Sequence, residues 1–409
     1  MTTLNDSRPR PFLADRVQSA KPSATKEMTR LANQLKREGR SIITLSQGEP
    51  DFPTPEHVRA AGRAAIDRNE SRYTDVAGTH ALREAVVRKF ARDNGLTFTP
   101  DQIQVGCGAK QVLYNALQAT LNAGDEVVIP TPAWVSYPEM VQLAGGTPVI
   151  VRCDASTGFK ITPQQLEEAI TPHTKWLMLN SPSNPSGAVY TSDELAALGG
   201  VLLRHPHVWI MADDIYEKIR YDDTPFATPA AVTPALASRT LTINGVSKAY
   251  AMTGWRVGFG AGPLALIKAM NLIQSQSTSH TSSISQAASI AALDGPMDFL
   301  PQFVSAFRHR RNVVVQALND IEGVTCDLPP GAFYAFPSCQ ALLGRRDSSG
   351  TVIASDSDLA AYLLRDGGVA IVPGSAFELP GHFRVSYAAS DEELSEAMSR
   401  IAHACAQLR

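Results

Sequence analysis

The chain has 409 residues, of which 44% are hydrophobic and 19% are charged, and its formal net charge at pH 7 is −3. This length exceeds one ordinary domain, and the composition is typical of a globular enzyme. The nearly balanced charge provides no overall field that would favour nucleic acid or an anionic membrane surface as a partner.

Targeting and cross-linking signals are absent from the sequence pattern. The N-terminal stretch MTTLNDSRPRPF has no apolar h-region, and no apolar run reaches the roughly 18 to 20 residues that span a bilayer. The five cysteines are scattered, odd in number and never in a C-x-x-C pair, which argues against a disulfide framework or a zinc site. We therefore expect a soluble protein of the reducing cytoplasm that binds no metal.

In chain order, two predicted helices, Glu56–Asn69 and Thr79–Asn94, lead into a region where short apolar runs alternate with helical segments. Continuously apolar strands joined by helices indicate an α/β fold with a mostly parallel sheet covered on both faces. Ligands of such sheets bind outside the carboxyl ends of the strands. The seven predicted strands are Ile103–Val105, Glu126–Ile129, Thr147–Val151, Lys175–Asn180, Val208–Ala212, Thr240–Asn244 and Val257–Ala261.

The pattern changes after Pro296 and predicts a smaller α+β domain. Its elements are a long charged helix, an aromatic strand, a helix, a strand and a terminal helix, at Asp298–Asp320, Gly331–Phe336, Ser357–Asp366, Phe383–Tyr387 and Asp391–Leu408. We expect the residues before Pro55 to join this domain. The predicted division is an N-terminal arm (1–24), a small-domain segment (25–55), a large domain (56–305) and a C-terminal small domain (306–409).

The segment NGVSKAYAMTGWRVG, Asn244–Gly258, carries the strongest chemical signal. Lys248 follows a predicted strand, and Arg256 comes eight residues later in a Gly-Trp-Arg triplet. A lysine amine forms an imine with an aldehyde cofactor when nearby cations or desolvation lower its pKa. An arginine close by can do this while it holds a phosphate with its planar guanidinium.

Two further polar groups follow predicted strands. In VWIMADDIY, Asp213 ends an apolar strand and Tyr216 comes three residues later; Asp214 is a competing candidate one step further from the strand. A buried carboxylate there suits a protonated ring nitrogen, whose charge lets a pyridoxal ring act as an electron sink. In LNSPSNPSG, Asn184 lies in a turn after the preceding strand, where its amide can donate to a phenolate oxygen.

The segment VGCGAKQVLYN, Val105–Asn115, reads as strand, glycines and helix. This order presents free backbone N–H groups and a helix dipole to an anion. It is not a Walker A loop, and no G-x-G-x-x-G opens the sheet, so the pattern does not favour a nicotinamide cofactor.

Taken together, these segments resemble the class I aminotransferases of the fold type I pyridoxal-phosphate enzymes, and most closely their bacterial aspartate/prephenate aminotransferase subgroup. The resemblance runs nearly end to end, from KPSAT at Lys21 and GEPDF at Gly48 to FRVSYA at Phe383. Intermediate blocks in the family's order include YTDVAGTHALREA, GAKQ, WVSYPEM, NSPSNPSG, DDIYE and GAFY. The resemblance implies a fold type I transferase with a seven-stranded large domain.

The resemblance implies a role for each matching residue. Lys248 is expected to hold pyridoxal 5'-phosphate as a Schiff base and then to act as the general base. Asp213 is expected to pair with the pyridine nitrogen, Tyr216 and Asn184 to bind the phenolic oxygen, and Trp134 to stack on the ring. The groups expected around the phosphate are the Ala109 backbone, Lys110, Arg256 and, from the second subunit of a homodimer, Tyr73. Ser247 is expected among the cofactor-binding residues.

The substrate groups are implied in the same way. Arg384 is expected to bind the α-carboxylate as a bidentate pair, assisted by Asn184, Trp134 and the Gly48 backbone. Because Arg384 lies in the predicted small domain, substrate binding would draw that domain closed. The family's proline turns also predict cis peptide bonds at Pro132 and Pro185.

Two departures from the family pattern concern the pocket. Gly245 stands three residues before the lysine, where many relatives have a serine that reaches the phosphate, although the bacterial subgroup often shares this gap. Gln47, after Ser46, is bulkier than the residues of close relatives, and it leaves the substrate preference open.

Several candidates remain for a second substrate carboxylate. The segment QSTSHTSS, Gln276–Ser283, contains no arginine of the kind that another branch of the family uses. Lys110 matches the lysine that takes this task in the bacterial subgroup, although it can equally serve the phosphate alone. Lys21 is a candidate for a larger dicarboxylate such as prephenate, and His280 either lines the pocket or is solvent-exposed.

The expected activity is a ping-pong transfer of the amino group from an amino acid, with aspartate favoured, to a 2-oxo acid such as 2-oxoglutarate. Alternatives on the same fold are an aromatic or prephenate-type aminotransferase and a β-eliminating C–S lyase, because a fold alone does not settle a reaction. A non-catalytic regulatory protein is disfavoured, since Lys248, Asp213 and Arg384 are all present.

Overall fold

The structure is a computed structural model that describes residues 12–20, 22–222 and 225–409. Its twelve strands are β1 (Ile43–Thr44), β2 (Ile103–Gly106), β3 (Glu126–Thr131), β4 (Thr147–Arg152), β5 (Thr174–Asn180), β6 (Trp209–Asp213), β7 (Thr240–Gly245), β8 (Gly258–Ala261), β9 (Tyr334–Ala335), β10 (Val369–Ala370), β11 (Val372–Pro373) and β12 (Phe383–Ser386). Within these ranges no helix combines the length and apolar character that crossing a membrane requires.

Fourteen α-helices are found in the same ranges. They are α1 (Asp15–Ser19), α2 (Ala24–Arg37), α3 (Glu56–Asp67), α4 (His80–Asn94), α5 (Ala109–Thr120), α6 (Ser136–Leu143), α7 (Pro163–Ala169), α8 (Ser192–Arg204), α9 (Pro229–Val232), α10 (Leu264–Ser275), α11 (Ser283–Asp294), α12 (Leu300–Asn319), α13 (Asp356–Arg365) and α14 (Asp391–Ala406).

The seven predicted strands form one sheet, in the order β2-β8-β7-β6-β5-β3-β4. The strands β3 to β7 are paired in parallel, whereas β8 runs antiparallel to both of its neighbours, β2 and β7. The α/β fold with a mostly parallel sheet is therefore confirmed. Because β5, β6 and β7 are parallel neighbours, their carboxyl ends lie side by side at one edge of the sheet.

Helices cover both faces of this sheet because successive strand side chains point to opposite sides. On one face Met211 of β6 packs with α5 and α10, and on the other face its neighbour Ile210 packs with α7 and α8. Local signals set the helix ends. The helix α8 begins with a capping box between Thr191 and Glu194, and α4 ends at Gly95 in a left-handed conformation.

The C-terminal elements form two small sheets. The strand β12 lies between β11 and β9, and β1 pairs in parallel with β10, which brings residues 43–44 against the C-terminal part of the chain. The long helices α12 and α14 contact each other in the adjoining core. The division at residues 56 and 305 stays a prediction.

A buried ionic cluster connects α4 with the turn that follows β6. The Lys89 ammonium lies 2.5 Å from a Glu217 carboxylate oxygen and donates to Asn94 Oδ1 at 2.7 Å, while the Asn94 amide donates to Glu217 at 2.8 Å. All three side chains are buried, and Asp214 is buried beside them. Burial, together with the charge of Glu217, raises the pKa of Asp214 well above its ordinary value.

We predict that Lys89→Met lowers the free energy of unfolding by about 3 to 5 kcal/mol, because it leaves a buried carboxylate without its cation. Urea denaturation measures this change. The matched control is Arg88→Met, one residue earlier on α4, which removes an exposed ion pair with Asp294 and is expected to cost about 1 kcal/mol or less. Equal losses for the two variants would contradict the prediction.

Candidate active site

A cavity of about 690 Å³ lies at the carboxyl ends of β5, β6 and β7 and extends to α2 and β12. Polar and charged side chains from distant parts of the chain converge on it, as the strand-end rule predicts. Its lining includes Lys26, Gln47, Gly48, Ala109, Lys110, Trp134, Tyr137, Asn184, Asp213, Tyr216, Ser247, Lys248, Arg256, Tyr334 and Arg384.

Lys248 lies in the turn shortly after β7 and lines the cavity. Its Nζ donates to the backbone carbonyl of Gly48 at 2.5 Å. Burial, followed by the charges of Arg384 and Arg256, lowers the pKa of Lys248 to about 8, although Glu49 acts in the opposite direction. The amine is therefore neutral in a far larger fraction of molecules than an exposed lysine at the same pH, and a neutral amine is a nucleophile.

Asp213, the last residue of β6, is only 5% exposed and lines the cavity. It accepts a hydrogen bond from the Tyr137 hydroxyl at 2.6 Å, and burial raises its pKa to about 6 despite that bond. The adjacent Asp214 lies instead in the cluster with Glu217, behind the cavity. The alternation of side chains at the strand end thus favours Asp213 over its competitor.

Arg384, in the middle strand of the small three-stranded sheet, is 2% exposed and lines the same cavity as Asp213. Its guanidinium donates to Asn184 Oδ1 at 2.9 Å and to the backbone carbonyl of Ser46 at 2.5 Å. Its Nε is buried without a hydrogen-bond partner in the described part of the chain. Burial lowers the pKa of Arg384, so this cation is strongly desolvated and suited to bind an anion.

The turn between β2 and α5 forms a cradle for an anion. Gly108 has a φ of 83°, a left-handed conformation that favours glycine, and a Cβ there would lie 2.5 Å from the Arg256 guanidinium. Arg256 donates to the Cys107 carbonyl at 3.1 Å. Because α5 begins at Ala109 without a side-chain cap, its first N–H groups and Arg256 together offer donors to a phosphate.

Gly245 departs from the family pattern for a reason that the packing explains. A Cβ at this position would lie 3.0 Å from Gly258 Cα and 3.0 Å from the Val257 carbonyl, since β7 and β8 approach closely. A Cβ at this position would require the neighbouring backbone to shift by a few tenths of an ångström. The neighbouring Ser247 lines the cavity.

Lys110 and Trp134 form the outer wall of the cavity. The Lys110 amine lies 4.5 Å from the centre of a Trp134 ring and donates to Ser136 Oγ at 3.1 Å. Burial, followed by the charges of Lys26 and Arg256, lowers the pKa of Lys110. A further anionic group in this part of the cavity would meet this cation, whose side chain is still exposed to solvent.

Three candidates lie apart from the cavity or outside the described residues. Tyr73 is 92% exposed and contacts the His280 ring edge-on, at 5.6 Å between centroids. Neither residue lines the cavity of its own chain within the described ranges. Lys21 lies outside the described residues.

Two tyrosines of the site were not singled out from the sequence. Tyr137 is the hydrogen-bond donor to Asp213, and the Tyr334 hydroxyl lies 2.8 Å from the Tyr216 hydroxyl. Both stand in blocks that carry the family resemblance, WVSYPEM and GAFY, which was the only signal that pointed to them. The predicted cis bonds at Pro132 and Pro185 are confirmed, and Ser181–Pro182 is also cis.

The described side chains suit the chemical groups of pyridoxal 5'-phosphate. The glycine cradle with Arg256 suits the phosphate, the buried Asp213 carboxylate suits a ring nitrogen that carries a proton, and the Lys248 amine suits the aldehyde. Arg384, which lines the same cavity, keeps a buried Nε without a hydrogen-bond partner in the described part of the chain. The donor set therefore fits this cofactor together with a carboxylate substrate.

A nucleophilic lysine, a buried carboxylate and an anion cradle at the edge of an α/β sheet are typical of an enzyme that works through a phosphorylated aldehyde cofactor. A model of the family described as aminotransferase class I and II matches residues 40–401. The chain belongs to this family, and it is an aminotransferase.

Individual relatives resemble the chain over nearly its whole length. It is 54% identical to aspartate aminotransferase of Rhizobium meliloti, covering 97% of this chain and 96% of that protein. It is 55% identical to aspartate/prephenate aminotransferase of Cereibacter sphaeroides, covering 97% and 99%. The crystal structure of the Rhizobium meliloti enzyme superposes with a TM-score of 0.94 at 54% identity, covering 97% of this chain and 99% of that one. Aspartate aminotransferase from Thermus thermophilus with maleate gives 0.90 at 41% identity, covering 96% and 100%.

We predict that the rate at which the apoprotein combines with pyridoxal 5'-phosphate rises with pH and is half-maximal near pH 8, the pKa of Lys248. The sign follows from the lowered pKa, because the amine is protonated and unreactive below this value and neutral above it. Stopped-flow absorbance of the bound cofactor measures the rate, and Lys248→Ala serves as the control that forms no covalent band. A midpoint at a pH of about 10.4, the ordinary pKa of lysine, would contradict the lowered pKa.

Proposed function

We propose that this aminotransferase uses pyridoxal 5'-phosphate to move the amino group of an L-amino acid, with aspartate favoured, to a 2-oxo acid such as 2-oxoglutarate. The observation that carries the proposal is the convergence of Lys248, Asp213 and Arg384 on one cavity from three separate parts of the chain. The names of the similar enzymes support aspartate as a substrate. A β-eliminating lyase finds no such support among them.

The geometry supports a role for each side chain around the cofactor. Arg256, Ser247 and the first N–H groups of α5, at Ala109 and Lys110, would bind the phosphate. Asp213 would hold a proton on the ring nitrogen, with its own carboxylate oriented by Tyr137. The bound cofactor supplies an electron sink for the substrate carbanion. Trp134 would pack on the ring, and Asn184 and Tyr216 would donate to its phenolic oxygen.

Lys248 has two tasks in this proposal. Its neutral amine would hold the cofactor through the aldehyde, and once freed by an amino acid the same amine would accept the proton from the substrate Cα and pass it on. A pKa of about 8 suits both directions of this transfer near neutral pH. The Gly48 carbonyl, which accepts from Nζ at 2.5 Å, fixes the position of the amine.

Arg384 would bind the substrate α-carboxylate as a bidentate pair, with Asn184 and the Gly48 backbone beside it. The arginine stands on β12 of the small sheet, whereas Lys248 follows β7 of the large sheet. A carboxylate held there is tied to the C-terminal elements while its Cα faces the lysine, and closure of these elements around the substrate would exclude water.

The preference for a second carboxylate rests on Lys110. Its amine lines the same cavity as Arg384, and its pKa is lowered by the surrounding protein and by the charges of Lys26 and Arg256. Gln47 also lines this opening and offers a neutral amide beside it. Since the similar enzyme of Cereibacter sphaeroides is named for prephenate as well as aspartate, a larger dicarboxylate or an aromatic substrate remains the alternative.

The functional unit in this proposal is a homodimer. Tyr73 is exposed and lies outside the cavity of its own chain, so its predicted contact with a cofactor phosphate requires the cavity of a second subunit. The five cysteines are unpaired in the structure, which suits the reducing cytoplasm that we propose as its location.

The test of the function is an absorbance spectrum of the purified holoenzyme during addition of single amino acids. We predict that L-aspartate removes the visible band of the cofactor and that 2-oxoglutarate restores it, because the amino group is carried by the enzyme between the two half-reactions. Loss of the band with aromatic amino acids alone would reject the aspartate preference. Release of pyruvate and ammonia without an acceptor would reject transamination in favour of elimination.

We predict that Lys110→Met raises the KM for aspartate about 10- to 100-fold, as expected for loss of a charge-assisted contact, and leaves the KM for phenylalanine nearly unchanged. Steady-state kinetics with saturating 2-oxo acid measure both values. The exposed residue Lys36 on α2 provides the matched control, Lys36→Met. An equal loss with both substrates, together with weaker retention of the cofactor, would mean that Lys110 serves only the phosphate.

A further inference from the structure

Tyr334 lines the cavity, but none of the roles predicted from the sequence belongs to it. It lies on β9, it is fully buried, and it lines the cavity beside Gly48, where a Cβ would collide with its hydroxyl. A buried tyrosine hydroxyl needs a hydrogen-bond partner. Here that partner is another tyrosine.

The hydroxyls of Tyr334 and Tyr216 lie 2.8 Å apart. Each hydroxyl has one proton and can also accept a bond. If Tyr216 is to donate to the phenolic oxygen of the cofactor, its own proton must point towards that oxygen. The bond to Tyr334 is then formed with Tyr334 as the donor, and this arrangement fixes the rotation of the Tyr216 hydroxyl.

The ring of Tyr334 contacts a second group of the site. The Arg384 guanidinium carbon lies 4.6 Å from the centre of this ring and 5.1 Å from the centre of the Phe377 ring. Aromatic faces at these distances attract a cation, and the attraction is stronger where water is excluded. Tyr334 therefore contacts the residue proposed for the cofactor oxygen through its hydroxyl and the residue proposed for the substrate carboxylate through its ring.

We propose that Tyr334 is a positioning residue for both half-sites, with the hydroxyl orienting Tyr216 towards the cofactor and the ring holding Arg384 towards the substrate. The inference rests on the proposed function, because it takes over the roles of Tyr216 and Arg384. It adds a separate prediction: loss of the hydroxyl affects only the cofactor side of the site, and loss of the ring also affects substrate binding.

The first experiment is a pH titration of the visible cofactor band in the substrate-free holoenzyme. Without its partner, Tyr216 is a weaker and less well oriented donor, so the cofactor oxygen keeps more negative charge. A more negative oxygen would stabilise the proton on the neighbouring nitrogen that would join Lys248 to the cofactor. The pKa of that nitrogen would therefore rise. Tyr334→Phe is therefore expected to raise the midpoint by about 0.5 to 1 pH unit, the effect of one neutral hydrogen bond.

A double-mutant cycle distinguishes positioning from a general loss of structure. If Tyr334 acts through Tyr216, then Tyr216→Phe and the double variant Tyr216→Phe/Tyr334→Phe have the same midpoint. Additive shifts, or no shift with Tyr334→Phe, would overturn the positioning of Tyr216. The matched control is Tyr387→Phe, because Tyr387 is equally buried in the same core and donates to the Ala332 carbonyl at 3.3 Å instead. This control is expected to leave the midpoint unchanged.

The second experiment compares Tyr334→Phe, which keeps the ring, with Tyr334→Leu, which removes it. The KM for the 2-oxo acid is expected to change by less than about twofold in the first and to rise about 3- to 30-fold in the second, as a buried cation–π contact predicts. Equal KM values in the two variants would overturn the role of the ring. If Tyr334→Leu does not fold, Tyr334→Phe still decides the role of the hydroxyl.

The titration needs no substrate, so its outcome is independent of the reaction that the enzyme catalyses. A holoenzyme that shows the predicted midpoints but transfers no amino group would reject the proposed function and keep the positioning of Tyr216. A transaminating enzyme whose midpoint does not respond to Tyr334→Phe would keep the proposed function and reject the positioning of Tyr216.

Discussion

The arrangement of the site depends on a buried cation that has no carboxylate partner in the described part of the chain. Arg384 is taken out of water and is held by Asn184, by the Ser46 carbonyl and by two aromatic rings. These neutral contacts orient the guanidinium without cancelling its charge. The residual field acts on Lys248, where it contributes to the lowered pKa, and it favours any anion that enters the cavity.

The two parts of the fold meet at this cation. The sheet contributes Asp213, Asn184 and Lys248 from the carboxyl ends of three parallel neighbours, and β9 and β12 contribute Tyr334 and Arg384. The hydrogen bond between Asn184 and Arg384 and the one between Tyr216 and Tyr334 join these groups directly. A shift of the C-terminal elements would therefore move both the carboxylate-binding group and the support of a cofactor-binding group.

The sheet and much of the site could be predicted from the sequence because both follow from local patterns. Seven short apolar runs predicted the strands, and polar residues directly after them predicted where Asp213, Asn184 and Lys248 would meet. Partners from other parts of the chain could not be predicted in this way. Tyr137 is far from Asp213 in the sequence, and Tyr334 is far from Tyr216, so no local pattern indicates these contacts. The pairing of Lys89 with Glu217 likewise depends on how α4 packs against the turn after β6. The local pattern left Asp213 and Asp214 open, the family resemblance favoured Asp213, and the structure shows that Asp213 lines the cavity.

The close approach of Gly48 and Tyr334 limits how this pocket can be redesigned. A side chain at position 48 would collide with the Tyr334 hydroxyl, and the Gly48 carbonyl already receives the Lys248 amine. A substitution at Gly48 would therefore disturb Tyr334, Lys248 or both. Gln47 and the α2 residues Lys26 and Arg30 also line the cavity but are exposed to solvent, and Arg30 forms a surface ion pair with Glu27. New substrate preferences are therefore most accessible to engineering at the rim, where changes leave the reacting groups in place.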